Sequence, residues 1–190
     1  FQEVHHRVKN NLQVVSSLLR LQTERLPPDV RPLMEETGAR VRAIALVHEQ
    51  IYRTATPSII QLDAFLVQLV QQLAASMIGG TARIATDLEP VAIGLDRAVK
   101  VAILATEAIT NAIKHGLDGG QGTITVTLRS RDARNILEVR DSGSGPAEDG
   151  KSGLGTRIMT ALSRQIDGEW TLRSTPEEGT CFSVSWPAGA

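Results

Sequence analysis

The sequence predicts an α+β chain: a helical hairpin at the N-terminus, then a separate unit that mixes helices with short strands. Three observations carry this. Apolar residues recur at helical spacing through residues 1–54 and are interrupted once, by Leu26-Pro27-Pro28-Asp29. Two alternating runs, 123–129 and 135–140, read as adjacent antiparallel strands. The 190 residues are 42% hydrophobic but only 3% aromatic, so the cores must be aliphatic and alanine-rich, which favours packed helices over an aromatic β-sandwich.

The bulk properties narrow the function classes. A net charge of −1 argues against non-specific nucleic-acid or membrane binding and leaves room only for a local basic patch. No run approaches the roughly 18 apolar residues of a spanning helix, and no signal peptide is read. The expected location is therefore cytoplasmic, with no direct membrane contact. The chain opens on Phe1 already in helical pattern, as expected of a fragment of a longer protein. Cys181 is the single cysteine, so it has no internal disulfide partner; in its alternating strand pattern it reads as a buried thiol.

The first helix carries Val4, Val8, Leu12, Val15 and Leu19 on one stripe and Val14, Leu18 and Leu21 on a second. The second helix follows with Leu33, Thr37, Val41, Ile44, Val47 and Ile51, ending near Thr54. Two helices bury little, and a pair of hairpins forming a four-helix bundle would cover both stripes, so a homodimer is expected. His6 points about 160° away from the first stripe at about 100° per residue, and His5 lies on its flank. A histidine that attacks phosphorus must be neutral, and Arg7 and Lys9 disfavour a second positive charge beside them. Read from the helix alone, two surface histidines without a role explain the pattern as well. His48 reads as a packing or surface residue.

The linker Ala55-Thr56-Pro57-Ser58 separates residues 1–54 from 59–190. A helix is expected from Leu62 to Ile78, stopped by Gly79-Gly80, then short strands at 83–88 and 91–94. A long helix runs from Asp96 to about His115 and is ended by Gly116. Its alanine-rich side bears Ala98, Ala102, Ala105 and Ile109; Glu107, Asn111 and Lys114 gather on the opposite side. A carboxylate, an amide and an ammonium at this spacing can hold a metal-bound phosphate, with the Asn111 oxygen suited to Mg²⁺. On the helix alone they are equally ordinary solvent residues.

The strand 135–140 runs into Asp141-Ser142-Gly143-Ser144-Gly145, where a carboxylate meets two glycines that let backbone approach a ligand. A short polar loop, 146–152, leads to Gly153-Leu154-Gly155 and a helix over about 156–166, a start suited to phosphate. Gly168 ends that helix. The last strands are expected at 169–174 and 180–186, with Phe182, Val184 and Trp186 on one face and both tryptophans in the core.

Taken in order, Glu107/Asn111/Lys114, Asp141-x-Gly-x-Gly145, Gly153-Leu-Gly155 and Gly179-Thr180 resemble the nucleotide site of the GHKL ATPases, the gyrase, histidine kinase and MutL relatives. The front end, His5-His6-Arg7-Val8-Lys9-Asn10-Asn11, resembles the phosphoacceptor helix of the sensor histidine kinases related to the HWE group, in the sister group with the His-Arg-Val-Lys-Asn motif. Ala45-Leu46-Val47-His48-Glu49-Gln50 resembles that group's second helix.

The resemblance implies a two-layer α/β sandwich behind a dimerising hairpin. It implies autophosphorylation from Mg·ATP on His6 and transfer to an aspartate of a response regulator receiver domain. It also implies roles: Glu107 as catalytic or water-positioning carboxylate, Asn111 on Mg²⁺, Lys114 on phosphates, and Asp141 on the adenine amine. Gly143, Gly145, Gly153, Leu154 and Gly155 would form the lid and its hinges, and Thr180 would support the adenine end. Arg7 stands where orthodox histidine kinases have an acid, so the usual adjacent base is missing. No Trp-x-Glu is present, which separates the chain from HWE proper. A non-catalytic phosphotransfer or scaffold protein, and a GHKL serine kinase or ATPase, are the alternatives.

Overall fold

The computed structural model describes residues 2–50, 59–77, 82–117, 122–143, 153–175 and 178–189. The side chains of residues 2–6, 9, 50, 76, 77 and 82 fall outside the description. Helices α1 (Gln2–Thr23) and α2 (Arg31–Gln50) form the expected hairpin. The turn between them is held by Arg31, whose Nε donates to the Leu26 carbonyl at 2.8 Å.

A three-residue strand β1 (Ile59–Gln61) follows, then α3 (Leu62–Met77), β2 (Ala82–Leu88), β3 (Ala92–Gly94) and α4 (Leu95–Asn111). β1 pairs antiparallel with β3, Ile60 opposite Ile93. It escaped the sequence because three residues are too few for alternation to register.

The long helix also differs from expectation at its end. It is α-helical only to Asn111 and then widens into a π-helical turn, Ala112–Gly116. Such turns are rare and break the 100° wheel that sequence reasoning assumes.

Strands β4 (Gly122–Arg131) and β5 (Arg134–Asp141) pair antiparallel around Asp132 and Ala133, which both have positive φ (49° and 57°). This two-residue turn matches the twist of the strands it joins. Helix α5 (Leu154–Gln165) and strands β6 (Glu169–Thr175) and β7 (Gly179–Pro187) complete the chain.

Five strands form one mixed sheet in the order β2-β4-β5-β7-β6, with β2 and β4 parallel and the remaining neighbours antiparallel. Alternation buries one face: Ile124, Val126 and Leu128 on β4, Leu137 and Val139 on β5, Phe182, Val184 and Trp186 on β7. These pack with Phe65, Leu66 and Leu69 of α3 and Val101, Leu104 and Ile109 of α4 in one continuous core. Cys181 faces the other way and is half-buried rather than buried; desolvation is the main reason its thiol pKa is raised.

The hairpin shares that core. Ala39, Ala43 and Val47 of α2 are buried in it, four residues apart on one face. Of the apolar stripe expected on α2, only Val47 is buried among the described residues. Leu33 is exposed and Val41 and Ile44 are half-buried, because small residues allow α2 to pack closely on its neighbours. On α1, Val14, Val15, Leu18 and Leu21 are exposed. Among the described residues no helix is long and apolar enough to cross a membrane.

Candidate nucleotide site

A cavity of about 420 Å³ opens between α4, the π turn, α5 and the inner face of β5, β6 and β7. Its walls are largely apolar: Ala108, Ala112, Val139, Met159, Leu172 and Phe182. Trp170 lines it too, stacked on Phe182 with ring centroids 5.9 Å apart, and its indole Nε1 donates to Thr160 Oγ1 at 3.3 Å. Only Trp186 is the plain core residue expected of both tryptophans, because β6 is the edge strand and leaves Trp170 half-covered.

Asp141 stands at the end of β5. The alternation that buries Leu137 and Val139 turns its carboxylate to the same inner face, where it is 4% exposed. Its Oδ1 accepts from the backbone N–H of Gly143 at 3.1 Å and of Thr180 at 3.2 Å. Among the described residues no donor reaches Oδ2.

Two glycines make room for this group. A Cβ on Gly116 would lie 2.2 Å from the Asp141 carboxyl. Gly179 has φ +75°, and a Cβ there would lie 2.0 Å from the Asp141 carbonyl oxygen. Both the close approach and the left-handed backbone require glycine.

At the opposite end, α5 begins at Gly153 with no side-chain cap, so its first N–H groups have no partner from that residue. Asn111, exposed at the end of α4, lines the same end with Gly153, Gly155 and Thr156.

Five of the residues singled out in the sequence therefore come together: Asn111, Asp141, Gly153, Gly155 and Thr180 all line the cavity. Gly143 does not line it but donates to Asp141, which does. Leu154 does not line it and is 48% exposed. Gly145 lies outside the described residues, as do the side chains of His5 and His6, although the backbone of both belongs to α1.

Glu107 and Lys114 do not line the cavity. Their side of the helix is not open to solvent as expected but faces α2. Arg40 grips Glu107 in a two-pronged contact, Nε to Oε1 at 2.5 Å and Nη2 to Oε2 at 3.0 Å. Lys114 Nζ donates to Glu36 Oε1 at 2.8 Å. Hydrogen bonding to Glu107 is the main cause of the raised Arg40 pKa, acting against burial. Lys114 and Glu36 line a second groove, of about 450 Å³, between the hairpin and α4.

Several site residues had no distinctive sequence signal. Arg40 and Glu36 form an ordinary i, i+4 pair on a helix, and Met159 reads as core. Gly116 was visible as a helix stop, but not as the seat of Asp141. His115, also on the cavity, sits in the unforeseen π turn.

Comparison with known proteins supplies the family. The family described as "Histidine kinase" (HisKA_2) matches residues 3–77. The family described as "Histidine kinase-, DNA gyrase B-, and HSP90-like ATPase" matches residues 96–190, half of the chain. The sensor histidine kinase PdtaS of Mycobacterium tuberculosis is 31% identical over 196 residues, covering 98% of this chain and 39% of that protein. Blue-light-activated histidine kinase 2 of Erythrobacter litoralis is 26% identical over 195 residues, covering 97% of this chain and 56% of that protein. The chain thus spans less than two thirds of the length of each of these two relatives.

Among solved structures, the histidine kinase domain of the Erythrobacter litoralis blue-light activated histidine kinase superposes with a TM-score of 0.75 at 23% identity. That match covers 98% of this chain and 89% of that one. The mycobacterial sensor histidine kinase MprB gives 0.55 at 15% identity, over 68% of this chain and 95% of that one. At these identities the two superpositions speak for the fold. The cavity lies within residues matched by the ATPase family, with a HisKA_2 hairpin packed on them, and the chain belongs to the histidine kinase-, DNA gyrase B- and HSP90-like ATPases in the arrangement of a histidine kinase catalytic core.

Proposed function

We propose that this chain binds Mg·ATP in the 420 Å³ cavity, phosphorylates His6, and passes the phosphoryl group to an aspartate of a response regulator receiver domain. Residues 1–54 act as the dimerisation and phosphoacceptor unit, and 59–190 as the ATP-binding unit. The observation that carries this reading is the buried Asp141. Its Oδ2 has no donor among the described residues and stands in a mainly apolar cavity whose other end is the uncapped start of α5.

The residues present fit an adenine nucleotide. Asp141 Oδ2 can accept from an exocyclic amine, as an ionised carboxylate does. Met159, Leu172, Phe182 and Trp170 offer apolar surface to a flat ring, and Thr180 stands beside Asp141. Phosphates suit the start of α5, where N–H groups and the helix dipole converge.

Asn111 is the proposed Mg²⁺ ligand. Among the described residues no cluster of three or more His, Cys, Asp or Glu could hold a metal. The ion would therefore be shared between the Asn111 amide oxygen, the phosphates and water, which is how Mg²⁺ is commonly held.

ATP supplies the transferable phosphoryl group, and what remains for the protein is positioning and charge neutralisation. His6 is the acceptor: it is the histidine that opens the His-Arg-Val-Lys-Asn run, within the residues that HisKA_2 covers. Glu107 is the catalytic carboxylate and Lys114 the phosphate contact. Gly143, Gly145, Gly153, Leu154 and Gly155 form the lid and its hinges.

Incubation with γ-labelled ATP tests the reading. The label should survive base, be lost in acid, and be absent from His6→Gln. Label that persists in that variant and disappears in His5→Gln moves the role to His5. Acid-stable label on a partner points to a serine kinase, and absence of Mg·ATP binding by calorimetry points to a non-catalytic scaffold.

A further inference from the structure

The two charged residues that the proposed function needs at the phosphates are both paired with α2 instead. Glu107 and Lys114 lie on one side of α4 and its π turn, yet neither lines the cavity, whereas Asn111 between them does. Both are held by α2. Arg40 takes Glu107, Glu36 takes Lys114, and Arg40 Nη2 also stands 3.5 Å from Glu36 Oε2. Two acids and two bases thus close on one another, and their charges cancel within the cluster.

The geometry points to α2 as a lock on the nucleotide site: Glu36 and Arg40 hold Lys114 and Glu107 in ion pairs off the cavity, and release of those pairs is the step that frees both for phosphoryl transfer. This rests on the function proposed above.

Three features favour a lock over ordinary surface pairing. First, the contact is covered. The Arg40 and Glu107 side chains are 12% and 4% exposed, so the pair is little screened by water. Separating such a pair leaves a buried charge uncompensated, so the Arg40–Glu107 contact is held firmly for as long as the two side chains face each other.

Second, the lock abuts the site it would control. A Cβ on Gly155 would lie 3.0 Å from Glu107 Oε2, and Gly155 lines the cavity at the start of α5. Glu107 therefore stands just behind the wall at the end suited to phosphate. A polyphosphate there repels the Glu107 carboxylate and attracts Lys114 and Arg40. These opposed forces pull the pairs apart, and a ligand shifts such an equilibrium only through a difference of this kind.

Third, α2 is joined through the turn 24–30 to the helix that bears His6. It packs on both α1 and α4, with Ala39 and Ala43 allowing close approach. A displacement of the hairpin therefore loads the lock directly.

The test uses the whole chain with Mg·ATP as the probe, and adenosine as the control that lacks phosphate. Glu36 is 27% exposed, so Glu36→Gln removes its charge with little disturbance of the fold. This variant should bind Mg·ATP about tenfold more tightly, a typical size for coupling between sites, with adenosine affinity unchanged. The gain should vanish in a Lys114→Gln background, because the two residues act through one contact. Arg40→Met should raise the single-turnover labelling rate of His6.

Equal or weaker Mg·ATP affinity in Glu36→Gln, or a gain that persists without Lys114, overturns the lock while leaving the nucleotide site intact. A slower labelling rate in a folded Arg40→Met chain with unchanged affinity also overturns it, and makes Arg40 a positioning residue for Glu107. A wild-type chain that binds no Mg·ATP overturns the functional reading and the lock together.

Discussion

The two oxygens of Asp141 have different surroundings. Oδ1 is held by two backbone N–H groups, while Oδ2 lacks a protein donor among the described residues. Asp141→Asn keeps an acceptor for the amides and places an N–H₂ where the lone pairs of Oδ2 stand. The fold should persist, since Oδ1 is the structural atom. An adenine nucleotide should bind about 10- to 100-fold more weakly, the cost of facing donor with donor in a buried site. Calorimetry with a non-hydrolysable ATP analogue reads the affinity, and thermal unfolding reads the stability. The residue was legible in the sequence because a carboxylate at a strand end followed by glycines is a local pattern. The division of labour between its oxygens was not, because Thr180 arrives from another strand.

At the scale of elements, α4 and β6 depart most from their patterns. The wheel of α4 placed Glu107, Asn111 and Lys114 together, but it carried no information on what covers that side. Glu107 and Lys114 face α2 and Asn111 faces the cavity. The π turn that follows brings His115 and Gly116 to the cavity wall. From the sequence, Trp170 on β6 reads as a core residue rather than a ligand stacker. An edge strand leaves it half-buried and on the cavity.

This position supplies a direct signal. Mg·ATP should change the tryptophan emission of the chain, and Trp170→Phe should abolish the change. Trp186 is fully buried in the core and should contribute a constant background. A nucleotide-dependent change that survives in Trp170→Phe would detach the binding site from this cavity.

For the whole molecule, the hairpin and the α/β unit are joined through one core, with Ala39, Ala43 and Val47 of α2 buried alongside α3 and α4. That leaves the other side of the hairpin. Val14, Leu18 and Leu21 form an exposed apolar stripe on α1, with Leu18 and Leu21 each 54% exposed. We propose that a second copy covers it. Leu18→Glu with Leu21→Glu should shift the sedimenting species from dimer to monomer, since two unpaired carboxylates are costly to bury in an apolar interface. A wild-type chain that sediments as a monomer rejects the arrangement.

Short-range chemistry made the order of elements readable. Helical spacing, the Pro27-Pro28 break, the polar hairpin at 130–134 and the glycines around 153–155 all act over a few residues, so their signals survive in a linear chain. The family pattern added which of those residues share a ligand. Three features depended on segments distant in sequence: the bond from Thr180 to Asp141, the exposure of Trp170 to the cavity, and the capture of Glu107 and Lys114 by Arg40 and Glu36. Charge pairing across 67 and 78 positions has no periodic trace. It is decided by which helix faces are brought together, and here small residues on α2 bring that helix onto α4 and turn charges that suit a phosphate toward each other.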